Sequence, residues 1–143
     1  MPQIERTSLV PYSCKQMFDL VNDIPSYPEF IPGCSGARIL AQHDQQIDAE
    51  LDISKAGIHQ SFATRNQLHE PHRIDLQLLS GPFKSLHGSW HFEALDEHAC
   101  KVTLRLDFEF SSRMLQFAFG KLFSEVNRRM VDAFAARAKA VYG

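Results

Sequence analysis

The sequence predicts an α+β domain in which one antiparallel sheet buries its dry face against a single long C-terminal helix. Through most of the middle of the chain, apolar residues alternate with polar ones at a period of two. The final thirty or so residues follow a helical period, with strong helix formers throughout. A second, shorter helical pattern lies near the start, so the helices are grouped at the sequence ends. With 143 residues, the chain can bury roughly 68–70% of its unfolded surface. That suffices for one core, and we expect one domain spanning residues 1–143.

Taken in order, a short strand is expected through Ile4 to Val10. Ser13 then caps a helix whose apolar positions Met17, Leu20, Val21 and Ile24 keep the i, i+3, i+4, i+7 spacing. Pro25 ends it. The segment IPSYPEFIPGCSG follows, and Pro28 and Pro32 limit it to an irregular turn. Held stiff and extended by its prolines, this segment would place Tyr27, Phe30 and Ile31 as a lid over an open end of the helix-on-sheet packing. The plainer alternative is that they cap a filled core.

After Gly36 about six strands are expected. Ile47, Ala49, Leu51 and Ile53 alternate with Asp48, Glu50, Asp52 and Ser54. Ile74, Leu76 and Leu78 share one face, as do Leu86, Gly88, Trp90, Phe92 and Ala94, and Val102, Leu104, Leu106, Phe108 and Phe110. The breaks Asp44-Gln45, Glu70-Pro71-His72, Gly81-Pro82 and Asp96-Glu97-His98 read as turns, hence antiparallel hairpins. On the strand after Gly57, Gln60, Thr64 and Asn66 share the parity of Ile58 and Phe62. Polar residues on an inward face need partners, and orienting a greasy ligand is one use for them.

From Ser111 or Ser112 to about Tyr142 the chain forms roughly 45 Å of helix. At about 100° per residue, Leu115, Phe119, Leu122, Phe123, Val126, Met130, Ala133, Phe134, Ala138 and Val141 make one apolar stripe facing the sheet. Met114 and Phe117 point to the other side, so the first turns are apolar nearly all round. Three accounts remain open. Gly120 interrupts the helix and the first turns enter ordinary core; or these residues line a cavity mouth with the proline-rich segment; or they form a patch for a partner or a membrane surface.

Composition excludes several classes. The net charge is -2, with no global drive toward nucleic acid. The charge is uneven: from Ser112 to Gly143, six Lys/Arg face two acids, +4, leaving −6 elsewhere. Such a basic helix is usually a solvated face. Cys14, Cys34 and Cys100 have no CxxC spacing and suit buried thiols in a reducing compartment. The N-terminus builds no signal-peptide core and no run is long enough to span a bilayer, so a cytoplasmic location is expected.

Catalytic and metal chemistry lack support. His87 and His91 are four residues apart on a strand, roughly 13 Å, too far for one metal ion. There is no G-x-S-x-G elbow and no phosphate-cradling glycine loop. Arg65, Arg105, Asp107 and Glu109 read as cross-strand ion pairs rather than acid/base groups.

The stretches LVNDIPSYPEFIPGC, DISKAGIHQSFATRN, GPFKSLHGSW and LDFEF followed by FGKLF resemble the coenzyme Q-binding and ribosome-association-toxin branch of the START-like (polyketide cyclase/dehydrase) superfamily. The likeness covers nearly the whole chain. It implies a helix-grip fold, a bent sheet around the long helix with a hydrophobic tunnel between them. Two roles are implied: binding a polyisoprenoid quinone such as ubiquinone in support of respiration, and binding the large ribosomal subunit to block subunit joining. No catalytic set and no obligatory cofactor come with it. Pro25, Tyr27, Pro28, Phe30, Pro32, Trp90 and Phe108 match motif positions as scaffold or lining.

On the ligand-binding reading, the channel holds ubiquinone or another isoprenoid lipid and runs beside Phe119. Phe62, Trp90, Phe92, Phe108, Phe110, Phe119, Phe123 and Met130 line it, with Tyr27, Phe30, Met114 and Phe117 near the entrance. On the ribosome reading, Lys121, Arg128, Arg129 and Lys139 meet RNA phosphates. Transient contact with a membrane surface fits the first reading, and no specific DNA binding is expected. An enzyme of the cyclase type stays open, because fold does not fix function.

Overall fold

The computed structural model describes residues 3–143. Strand β1 (Gln3–Val10) leads to helix α1 (Cys14–Asn22) and a 3-10 helix (Ile24–Glu29). Six strands follow, β2 (Cys34–His43), β3 (Gln46–Lys55), β4 (Ile58–His69), β5 (Arg73–Ser80), β6 (Phe83–Asp96) and β7 (Ala99–Phe110), then helix α2 (Arg113–Tyr142). The strands form one antiparallel sheet in the order β1-β7-β6-β5-β4-β3-β2. β1 returns across the chain to pair with β7, while all other neighbours are sequential hairpins. This is the α+β helix-grip architecture that the sequence predicts.

Local chemistry starts the helices where expected. Ser13 and Gln16 form a capping box: the Ser13 hydroxyl accepts from the Gln16 amide at 3.1 Å, and Gln16 Oε1 accepts from the Ser13 amide at 2.9 Å. Ser112 caps α2 by accepting from the Leu115 amide at 3.1 Å.

The proline-rich segment departs from expectation. It is a 3-10 helix, not an extended turn. Pro25 sits in its first turn, where a missing N–H leaves no bond broken, and short i→i+3 turns accommodate Pro28. The Tyr27 hydroxyl donates to the carbonyl of Val21, one of the open carbonyls at the end of α1. The Ile31 amide donates to the Tyr27 carbonyl at 2.9 Å.

The sheet bends where its pairing slips, between Cys34 and Gly36 and between Ile39 and Ala41 on β2, between Ala63 and Thr64 on β4, and between Phe83 and Ser85 and between Ala94 and Asp96 on β6. Bulges of this kind increase local twist. Gly88 lets β6 approach β7 closely: a Cβ there would lie 2.1 Å from the Arg105 carbonyl oxygen. The obstacle is backbone and cannot rotate away. Gly88→Ala is therefore expected to cost about 2 kcal/mol through overpacking, read as a lowered urea midpoint.

Helix α2 is continuous from Arg113 to Tyr142, so Gly120 does not interrupt it. Beneath it the aromatic residues form two groups. Under its N-terminal half, Phe62, Phe83, Phe108, Phe110 and Phe119 surround Phe123, with ring centroids 4.8–5.9 Å from it. Under its C-terminal half, Tyr27, Phe30 and Trp90 pack edge-on against Phe134 at 5.2–5.3 Å. Trp90 continues to Phe92 and on to Phe18 of α1.

Candidate functional site

Between these two aromatic groups lies an internal cavity of about 60 Å³. The sheet contributes Ala49, Leu51, Phe62, Ile74, Leu76, Leu86, Trp90, Leu104 and Leu106. The C-terminal end of α1 and the 3-10 helix contribute Val21, Asn22, Ile24 and Tyr27, and α2 contributes Asn127 and Met130. The wall is mostly apolar because β3 to β7 all turn their dry faces inward here.

Four neutral polar side chains interrupt that wall: Asn22, Thr64, Asn66 and Asn127. The Thr64 hydroxyl donates to Asn66 Oδ1 at 2.7 Å. Asn127 Nδ2 donates to the Phe123 carbonyl one helical turn back at 2.9 Å, and Asn22 Nδ2 to the Phe18 carbonyl at 3.1 Å. Each Asn spends one half of its amide on the scaffold and keeps capacity in the other half. The cavity can thus hold an apolar body with a hydrogen-bonding head, or ordered water, which needs only about 10–15 Å³ per molecule.

Tyr27 is the one titratable group in this wall. Its hydroxyl is bonded to Val21, and burial raises its pKa far above the usual tyrosine range. It therefore stays protonated and already donates. The cavity holds no carboxylate, imidazole or thiol that could move a proton.

Of the lining residues expected from sequence, Tyr27, Phe62, Trp90 and Met130 border the cavity. Phe108, Phe110, Phe119 and Phe123 lie instead in the aromatic group around Phe123, and Phe92 in the chain from Trp90 to Phe18. The expected channel beside Phe119 is a correction: rings fill that space, and the void begins two turns further along α2, at Asn127 and Met130. Large side chains from β4, β6 and β7 converge around Phe123, next to Phe119, and pack on one another. Tyr27 is buried rather than placed at an entrance. Phe30 is half-buried against Phe134, with the Arg137 guanidinium 4.9 Å above its ring and Arg137 paired to Glu29 at 3.4 Å. The proline segment is thus pinned to α2.

Met114 and Phe117 are also corrected. They are 80% and 93% exposed; Phe117 lies beside the tip of the β3–β4 hairpin, with Met114 about one turn before it on α2, and neither is beside the proline segment. Seventeen residues of helix, about 25 Å, separate Phe117 from Phe134.

Thr64 and Asn66, marked by their inward parity, do face the cavity, whereas Gln60 of the same parity does not border it. Asn22 and Asn127 were missed. The signal for Asn127 was present, since it falls within the apolar stripe between Val126 and Met130. A polar residue inside such an arc deserves the same question as one on an inward strand face.

The outer surfaces carry different chemistry. On the wet face of the sheet, Arg65 holds Asp48 in a two-point bridge at 2.9 and 3.0 Å, and Arg38 bonds both Glu50 and Asp52. These guanidiniums hold the Asp48 and Asp52 carboxyls below the usual range, with Ser61 donating to Asp52 as well. The expected cross-strand pairs are thus structural, with Arg105 on Glu5 and Lys84 near Glu109 at 3.7 Å. On α2, Lys121, Arg128, Arg129 and Lys139 are exposed, and among the described residues only Arg137 of this helix's basic groups has an acidic partner.

All three cysteines are buried. Burial and the neighbouring Cys14 sulfur, 3.4 Å away, push the Cys100 thiol up to about 12. Among the described residues no cluster of His, Cys, Asp or Glu could hold a metal ion, and no helix is long and apolar enough to cross a membrane.

Comparison with known proteins agrees with this architecture. The family described as polyketide cyclase/dehydrase and lipid transport matches residues 10–135. A Vibrio cholerae protein named ribosome association toxin RatA is 54% identical over 143 residues, covering 100% of this chain and 99% of its own length. A Xenopus laevis protein named coenzyme Q-binding protein COQ10 homolog B, mitochondrial, is 24% identical over 99% of this chain and 59% of its own length. The solved structure of a START superfamily protein from Mycobacterium smegmatis shares the fold, with a TM-score of 0.80 at 22% identity, covering 97% of this chain and 98% of that one. The chain therefore belongs to the polyketide cyclase/dehydrase and lipid transport family, in the branch it shares with the RatA proteins.

Proposed function

We propose that this protein acts without catalysis, by associating with the ribosome through the outer face of α2 and so regulating translation. The observation that carries this reading is the 54% identity, end to end, with a protein named ribosome association toxin. The large subunit is the partner that the sequence resemblance implies. Lys121, Arg128, Arg129 and Lys139 are exposed and without acidic partners among the described residues, which leaves their charge available to RNA phosphates. Four such contacts would give a salt slope of about −3 in log K against log salt.

Cosedimentation with purified large subunits across a salt series tests the proposal. Arg128→Glu combined with Arg129→Glu should lower the association constant by at least about tenfold and halve the slope. Association that ignores both salt and charge reversal would overturn it.

A second reading rests on a separate observation, the four polar groups in the otherwise apolar cavity. We propose that the cavity takes an apolar ligand with a hydrogen-bonding head, of which ubiquinone or another isoprenoid lipid is an example. A cavity of about 60 Å³ is well below the roughly 300–1,000 Å³ of small-molecule pockets, so uptake requires it to widen. Met130, flexible and at the boundary of the two aromatic groups, is the side chain best suited to yield. The two readings use different surfaces and are compatible.

A further inference from the structure

Ten of the eleven phenylalanines pack against another aromatic ring, and Phe117 does not: it stands 93% exposed in the second turn of α2. Its exposure is not isolated. Met114, one turn earlier on the same side, is 80% exposed, and Ile58 at the tip of the β3–β4 hairpin shares a concavity of about 350 Å³ with Phe117. The other exposed apolar residues, such as Leu9, Leu40 and Leu95, are scattered over separate strands and need no explanation.

The surroundings of this patch are cationic. Arg113, Lys55 and Lys121 stand around it, and Glu125 is the one acid in the shared concavity, 3.8 Å from Lys55. The first turn of α2 contains no acidic residue, so the positive end of the helix dipole is left uncompensated and even faces Arg113. Natural helices usually place Asp or Glu there. Phenylalanine and aliphatic side chains at the centre with Lys and Arg at the rim match the two layers of an anionic bilayer: acyl chains accept the apolar tips, and long basic side chains reach the headgroups. A nucleic-acid platform would instead present flat rings for stacking, and Met114 and Ile58 supply none.

From this geometry we propose that the N-terminal end of α2 and the β3–β4 hairpin tip form a docking surface for anionic lipid membranes, with Phe117 and Met114 inserted and Lys55, Arg113 and Lys121 on the phosphates. This goes beyond ribosome association, for which neither Phe117 nor Met114 is used. The six-ring aromatic group lies between this surface and the cavity, so docking and any cavity ligand are separate questions.

Flotation of the whole chain with vesicles provides the test. The protein should float with vesicles of mixed phosphatidylcholine and phosphatidylglycerol, and poorly with phosphatidylcholine alone. Phe117→Ser with Met114→Ser should lower the partition coefficient at least about tenfold while leaving the melting temperature and large-subunit cosedimentation unchanged, because both side chains are exposed. Arg113→Glu with Lys55→Glu should remove the preference for the anionic vesicles. The proposal is overturned if the wild type floats with neither vesicle, if the serine variant floats as well as the wild type, or if the patch proves to be a self-association surface. The last case would appear as a dimer in light scattering that the serine variant abolishes.

Discussion

Replacing Phe123 by alanine is expected to destabilise the protein by about 4 kcal/mol, the largest loss from any single truncation considered. Phe123 is completely buried and touches five other rings, those of Phe62, Phe83, Phe108, Phe110 and Phe119. Its removal forfeits the transfer free energy of the ring and leaves a void that three strands and a helix cannot close. Edge-to-face pairing adds to the loss. Urea denaturation at neutral pH measures it directly. A change under about 1.5 kcal/mol would mean that the aromatic group is loosely packed and can collapse, which would also reopen the case for a channel beside Phe119.

Filling the cavity is expected to have the opposite sign for stability and to abolish ligand uptake. Ala49 is buried on β3 and borders the void, and valine suits a strand. Ala49→Val should raise the stability of the ligand-free protein by about 1 kcal/mol, as cavity-filling substitutions do. The same variant should lose saturable uptake of a short-chain benzoquinone, followed by isothermal titration or by the thermal shift that binding confers. If the wild type takes up no such probe, the second reading fails while ribosome association stands. If Ala49→Val binds it as well as the wild type, the ligand sits elsewhere. A drop in stability would show that the void is not free to accept two methyl groups.

Arg128 and Phe117 show how one helix face can carry two kinds of chemistry. They lie on the same side of α2, about three turns apart, yet one has charge without a partner and the other apolar area without cover. The separation makes their variants independent probes, since sites this far apart with no shared contact respond additively.

The sequence by itself determined the architecture. Period-two alternation names which strand face is dry, hairpin turns place successive strands side by side, and a thirty-residue amphipathic stripe leaves one way to cover the sheet. These are local signals, written in the chemistry of neighbouring residues. It also marked Thr64 and Asn66 by parity, and Met114 and Phe117 by their place outside the apolar stripe. Tertiary structure alone decided where the interior is full and where it is empty. Pattern gives direction but not volume: Phe119 and Met130 lie in the same stripe, yet the rings of Phe110 and Phe123 pack against the first, and smaller aliphatic and amide side chains meet beneath the second. The Tyr27 bond to Val21 was likewise invisible, because it depends on the fold of the 3-10 helix under α1, a contact between backbone and side chain that no periodicity records.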